Sequence, residues 1–219
     1  MLAKYKNLIL GISEKDDGAM KFIDHKTSSR IVNNRINFFK KRNINYKNVV
    51  SIISVHSNKI KIVNKKDKGK IIKGYDILIT DEKDLFLAIT IADCIPIYYY
   101  TLKSCVIGLA HAGWRGIKLD IAGKTVKKLK EKFNIKPEEI KVYIGPHIQK
   151  CHFEVKKDIA RKFIKYKNAI IKKDSKIFID LSKVVKEQLS KSGVKSDNII
   201  ISKECTYCLG NKYFSYRRD

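Results

Sequence analysis

The sequence predicts an α+β layered fold with mixed sheets, and three observations predict it. β-prone apolar runs come in groups of two to four between helical segments, whereas a doubly wound sheet alternates one strand with one helix. The runs at 89–92 and 106–110 are apolar enough for strands buried on both faces. The segments 27–41, 117–133 and 181–189 carry their apolar residues at helical spacing. No repeat, linker or low-complexity stretch interrupts the chain, so a single domain over residues 1–219 is expected.

In chain order, residues 8–12 read as a first strand, followed by a polar loop through Gly18. The helix at 27–41 starts on Thr/Ser and places Ile31, Val32, Phe38 and Phe39 on its apolar side, with Arg35 near that side. Residues 49–55 read as a strand delivering His56, and 59–63 as its hairpin return after the Ser57-Asn58 turn. A charged loop (64–73) leads to a strand at 77–80. The central block, 92–116, reads ADCIPIYYYTLKSCVIGLAHAGWRG. In it, one apolar run leads into Asp93-Cys94 and another into His111, with a β-prone segment at 97–100 between them. The helix at 117–133 stops near Asn134, ahead of Pro137. A strand at 140–144 ends in Gly-Pro-His, and Val155, Ile159 and Phe163 mark a further helix. A strand at 177–179 precedes a helix capped by Asp180 and closed by Gly193. Residues 198–202 and 213–216 read as the last two strands.

A chain of 219 residues with 44% hydrophobic residues and only 3 Pro buries a sizeable core and is not disordered. No apolar run approaches the ~20 residues that span a bilayer. The apolar patch near the N-terminus lacks the long h-region of a signal peptide, so a cytoplasmic location is expected. The net charge of +25 would suit a nucleic-acid-binding module. The basic residues, however, are spread along the whole chain and read as solvated surface, with weak polyanion binding as a by-product. Only 7 of the 47 are Arg. Where the chain departs from Lys, the planar fork of Arg is a feature to explain. Arg35, Arg115, Arg217 and Arg218 are such positions, whereas Arg30, Arg42 and Arg161 read as helix-surface residues. Five Cys without a signal peptide argue against a disulfide framework. Cys205-Thr-Tyr-Cys208 is an isolated CxxC pair, read as two partly buried thiols.

If the two central runs are neighbours in one sheet, Cys94 and His111 meet at its edge. Two chemistries then remain open. In one, a Cys94 thiolate is activated by His111 as base, a metal-free Cys/His hydrolase. In the other, Cys94, His111 and a third donor, for which His56 is the best candidate, hold a metal with one position open to substrate. Zinc is the first choice for such a set, with copper as the alternative. A multicopper oxidase needs more than the five His available.

ADCIPI, HAGWRG, GPHIQKCHFEV, the final CT and FSYRRD together resemble the laccase-domain family. Its members have been called multicopper polyphenol oxidases, are described as purine nucleoside phosphorylases with adenosine deaminase activity, and include peptidoglycan-editing factors. The resemblance implies a layered αββα domain, similar in outline to a group of cysteine hydrolases. It also implies metal ligands at His56, Cys94 and His111, with Arg35 and Arg115 contacting phosphate or substrate. The expected partners are purine nucleosides and phosphate, with no specific nucleic acid and no membrane, and the oligomeric state is left open. Ser54 stands where the family usually has Gln, and the Asn-Leu-Gly segment usual near the N-terminus is not evident. The family's usual further C-terminal strand is also expected to be missing after Asp219.

Overall fold

A computed structural model describes residues 8–22 and 28–219; Thr27 and the start of the N-terminal apolar patch lie outside them. The elements are α1 (Ser29–Lys40), β1 (Val49–Ile53), β2 (Ile60–Ile62), β3 (Ile71–Lys73), β4 (Ile77–Thr80), β5 (Phe86–Ala88), β6 (Ile95–Thr101) and β7 (Ile107–Ala112). They are followed by α2 (Trp114–Lys118), α3 (Ile121–Phe133), β8 (Ile140–Ile144), β9 (Glu154–Val155), α4 (Lys157–Arg161), β10 (Ile170–Lys173), β11 (Lys176–Ile179), α5 (Leu181–Lys191) and β12 (Ile199–Ile201).

The fold is α+β with mixed sheets. A six-stranded sheet has the order β12-β8-β6-β7-β4-β2, antiparallel at its centre and parallel at both edges. A second sheet, β3-β1-β5, is parallel throughout, and a third, β10-β11-β9, is antiparallel. Strand alternation builds the layers. Val49 and Ala88 face Phe38 and Phe39 of α1, whereas Val50 and Ile52 turn the other way onto Leu78 of β4. On β4 itself, Ile77 and Ile79 face away from Leu78 and join Ile95, Ile97 and Tyr99 of β6 against α3 and α5. The succession is therefore helix, small sheet, large sheet, helices. Each fully buried Ile or Leu of this core, such as Ile97 or Leu129, contributes roughly 1.5–3 kcal/mol.

Several expectations are met where a local signal decides the structure. The Asp180 carboxylate accepts the Lys183 N–H at the start of α5, and Gly193 takes a left-handed φ of 92° just beyond its end. Asn134 ends α3 with a φ of 51°.

Others are corrected. Residues 8–12 and 213–216 form no strand. The helix at 117–133 is two: Asp120 turns left-handed (φ 58°), ending α2, and its carboxylate caps α3 at the Gly123 N–H. β2 is not a hairpin return, because it pairs in parallel with β4 in the other sheet. His56 itself has a φ of 59°, so the chain turns out of one sheet and crosses to the other. The helix marked by Val155, Ile159 and Phe163 shrinks to the five residues of α4, since Val155 is drawn into β9. The run at 89–92 is not a strand; β5 ends before it.

Candidate metal and active site

Cys94 lies immediately before β6, and His111 lies inside β7. They meet because the antiparallel register pairs Pro96 with His111 and Ile95 with Ala112, so the residue before β6 falls beside the residue after β7. That second residue is Gly113, and it has to be small. A Cβ there would lie 2.8 Å from His56 Cδ2 and 3.3 Å from Cys94 Sγ. His56 reaches the same point from its left-handed turn after β1. Its ring packs edge-on against that of His111 with centroids 4.8 Å apart. The donor atoms of His56, Cys94 and His111 all lie within 4.8 Å of one another, with Cys94 Sγ 4.0 Å from His56 Nε2. A tetrahedral zinc with ordinary Zn–S and Zn–N lengths sets about 3.5 Å between such atoms, so binding would draw the donors together, by about 0.5 Å for the Cys94–His56 pair. The trio is a possible metal site with a position left for substrate.

Asp76 organises this trio and carries no motif signal in the sequence. It is fully buried at the start of β4. His111 Nδ1–H donates to its Oδ1 at 2.9 Å, which leaves His111 Nε2 free to face Cys94 and His56. The His56 N–H (3.0 Å) donates to Oδ1, while the Ser57 N–H and Oγ–H (2.7 Å each) donate to Oδ2. One carboxylate thus holds the ring of one candidate ligand and the backbone of another. Burial alone pushes the Asp76 carboxyl up, but the hydrogen bonds from His111 and Ser57 prevail and hold it below the usual carboxylate range. Burial pulls the His111 imidazole down, yet Asp76, followed by Cys94, raises it to about 9. Burial raises the Cys94 thiol, and the two imidazoles outweigh this and bring it down to about 7. Without a cation, Cys94 and His111 are therefore poised as a thiolate–imidazolium pair.

Asp93 is the second buried carboxylate missed by motif reading. Its backbone is left-handed (φ 78°), and it accepts from Thr206 Oγ1–H (2.6 Å), Ser215 Oγ–H (3.0 Å) and the Arg217 N–H (2.8 Å). The segment expected to be a last strand instead wraps around the residue preceding Cys94. Arg218 locks that wrap by donating to the carbonyls of Thr206, Tyr207 and Tyr213. Arg217 donates to the Glu154 carbonyl at 3.1 Å. Arg218 also pairs with the Asp219 carboxylate (2.9 and 3.0 Å), so both forks are engaged within the protein.

The trio opens onto a cleft of about 1220 Å³, whose walls include Arg35, Phe38, Tyr98, Trp114 and Arg115. Arg115 is exposed, with its guanidinium 4.5 Å above the Trp114 ring. Arg35 points inward and is buried. Its terminal nitrogens donate to the Met20 carbonyl (2.9 Å), Thr90 Oγ1 (3.3 Å) and Ser51 Oγ (2.8 Å), leaving Nε without a partner among the described residues. Arg42, expected on the surface, lies against the Phe38 ring at 3.8 Å and lines the same cleft. Cys205 and Cys208 are not an isolated pair, because Cys151 and His152 lie against them. Among the described residues, no helix is long and apolar enough to cross a membrane.

The chain is similar to several known proteins. A purine nucleoside phosphorylase, YlmD, from Geobacillus stearothermophilus is 35% identical over 178 residues, 75% of this chain and 65% of that protein. Its Bacillus subtilis counterpart is 30% identical over 207 residues, covering 89% and 74%. The chain thus spans about two thirds to three quarters of these relatives. The crystal structure of the Geobacillus protein superposes with a TM-score of 0.86 at 31% identity, over 91% of this chain and 78% of that one. The family model described as multi-copper polyphenol oxidoreductase laccase matches residues 10–219, and the chain belongs to that family.

Proposed function

We propose that the protein is a zinc-dependent purine nucleoside phosphorylase, acting as one domain on adenosine, inosine and methylthioadenosine, with adenosine deaminase activity at the same site. The observation that carries this reading is the His56–Cys94–His111 trio lining a cleft large enough for a nucleoside and a phosphate. Relatives named as purine nucleoside phosphorylases supply the reaction class.

In phosphorolysis a phosphate oxygen forms a bond to C1′ of the ribose, the C1′–N9 bond breaks, and the base leaves with a proton. The products are free base and ribose 1-phosphate, or methylthioribose 1-phosphate from the methylthio substrate. Deamination adds water at C6 of adenosine and releases ammonia and inosine. Zinc, when bound, supplies a Lewis acid that polarises a substrate oxygen or brings the pKa of a water towards neutrality. His56, Cys94 and His111 hold it, and Asp76 fixes His111 in the tautomer that presents Nε2 as a ligand. Arg115 carries the phosphate: its fork, stacked on Trp114, matches two phosphate oxygens. Arg35, whose terminal nitrogens are engaged, offers Nε alone and sets the wall of the cleft.

The test is base release from adenosine and inosine, with and without phosphate, on protein of known zinc content, beside Cys94→Ala and Arg115→Lys. The reading predicts phosphate-dependent release that disappears with the zinc in Cys94→Ala. It also predicts a phosphate KM raised roughly 10-fold in Arg115→Lys, where a point charge replaces a fork. Zinc-loaded protein without base release would refute it. Activity that survives chelation and dies on alkylation would support the Cys94–His111 hydrolase instead, and phenol oxidation by copper-loaded protein would support the oxidase.

A further inference from the structure

We propose that Cys151, His152, Cys205 and Cys208 form a second metal centre, a closed structural zinc site separate from the catalytic trio. Cys151 and His152 sit in the turn after β8, and Cys205 and Cys208 in the turn after β12. The four donor atoms lie within 4.8 Å of one another. The Cys151 sulfur is 3.7 Å from both the Cys205 and the Cys208 sulfur. His152 Nδ1 is 3.2 Å from Cys151 Sγ and 3.3 Å from Cys208 Sγ. Around a tetrahedral zinc, sulfur ligands sit about 3.8 Å apart and a sulfur and a nitrogen about 3.5 Å apart. Four of the six edges thus lie within about 0.3 Å of that tetrahedron, and the Cys205–Cys208 and His152–Cys205 edges are no longer than 4.8 Å.

A disulfide is the competing use of adjacent thiols, and the arrangement does not favour one. Cys151 is equidistant from two sulfurs, whereas a disulfide selects one partner at about 2.0 Å and abandons the other. The surroundings also serve a thiolate-bound ion. The Gln149 N–H points at Cys205 Sγ at 3.4 Å, which is how backbone amides stabilise metal-bound thiolates. The His152 ring is stacked on Tyr207, with centroids 4.0 Å apart and planes 16° from parallel. That stacking fixes the ring with Nδ1 towards the sulfurs. Three thiolates and one imidazole fill a tetrahedron without a place for substrate, the donor set of a structural rather than a catalytic zinc.

Its consequence reaches the catalytic trio through the chain. The centre would staple the turn at 205–208 to the turn at 150–152. Thr206, between two of its ligands, donates to Asp93 next to Cys94. The ion would thus hold in place the C-terminal wrap around Asp93.

The experiment is zinc quantification and cobalt substitution in His111→Ala, which disrupts the trio, beside Cys205→Ser/Cys208→Ser. His111→Ala is expected to retain one zinc per chain through dialysis, and its cobalt form to show an intense thiolate-to-metal charge-transfer band. The double variant loses that zinc and keeps the trio's metal, and its cobalt band falls to the weaker one given by the single Cys94 thiolate. Because the double variant removes a staple, unmodified protein supplies an independent reading. Zinc should protect Cys151, Cys205 and Cys208 from alkylation, followed by peptide mass spectrometry, and chelation should expose them, with exposed Cys105 reacting in both states. The proposal is overturned if zinc-loaded His111→Ala holds no zinc, if alkylation of Cys151 ignores zinc, or if anaerobically purified protein carries a disulfide among these residues. None of these outcomes bears on phosphorolysis, and a protein without phosphorylase activity still passes or fails this test.

Discussion

Replacing Asp76 by Asn keeps the size of the side chain and removes one acceptor edge from a carboxylate that uses both. Oδ1 faces two donors, His111 Nδ1–H and the His56 N–H, while Oδ2 faces the N–H and Oγ–H of Ser57. Whichever way the amide turns, its NH2 confronts a pair of donors in a site without water access. Two charge-assisted hydrogen bonds, at about 1.5–3 kcal/mol each, are forfeited, so the variant should lose roughly 3–5 kcal/mol of stability. At about 2–4 °C per kcal/mol for a chain of this length, the melting temperature falls by roughly 10 °C. If the NH2 faces His111, the imidazole has to expose its Nδ1 lone pair and move its proton to Nε2, the atom the trio needs as a ligand. Zinc affinity should therefore fall by about 10–100-fold, as for other lost partners of a metal-bound imidazole. Competition against a chromogenic chelator reads the affinity, and thermal unfolding with and without zinc separates it from stability. Ser57→Ala is the control: it removes the Oγ–H alone and should leave zinc affinity within a few-fold. Unchanged zinc affinity in Asp76→Asn, with the melting temperature lowered as expected, would show that Asp76 holds the fold and not the ligand. No change in either would refute the reasoning.

Gly113→Ala places a Cβ 2.8 Å from His56 Cδ2 and should displace that ring, costing zinc at the trio while thermal stability changes by only about 1 kcal/mol. Calorimetry beside metal analysis checks the pair of outcomes. Ser215→Ala removes one donor from buried Asp93 and should cost about 1–3 kcal/mol in denaturant unfolding; a wild-type midpoint would mean the C-terminal wrap is not coupled to folding. In metal-free protein, the alkylation rate of Cys94 should rise with pH around a midpoint of about 7, because the reactive thiolate forms above its pKa and the two imidazoles favour it. A midpoint near the ordinary thiol value of about 8.5 would mean that His56 and His111 do not face it.

Local chemistry was legible in the sequence wherever a residue acts within a few positions of itself. The caps at Asp180 and Asn134 and the glycine after α5 are of this kind. So is the apolar periodicity that put the core on the right face of α1, α3 and α5. The errors arose where a distant partner decides. Residues 89–92 and 213–216 are as β-prone as true strands, but a strand exists only if a neighbour offers its backbone, and none does among the described residues. Residues 59–63 look like a hairpin return; the pairing went instead to β4, because the turn at His56 and Ser57 is tied to Asp76.

The sequence by itself determined the α+β class and the residue types capable of chemistry and, through motif resemblance, named His56, Cys94 and His111 as candidates. It did so because strand and helix periods and short motifs are written in consecutive residues. Only the tertiary structure decided how those residues meet. The β6–β7 register sets Cys94 beside His111 and makes Gly113 necessary. Asp76 and Asp93 become organising carboxylates only when donors 19 to 124 positions away fold onto them. An isolated CxxC becomes four donors once β8 and β12 pair and bring their following turns together. Side-chain coordination depends on distances in space of a few ångströms, and sequence separation carries that information only after the sheets have closed.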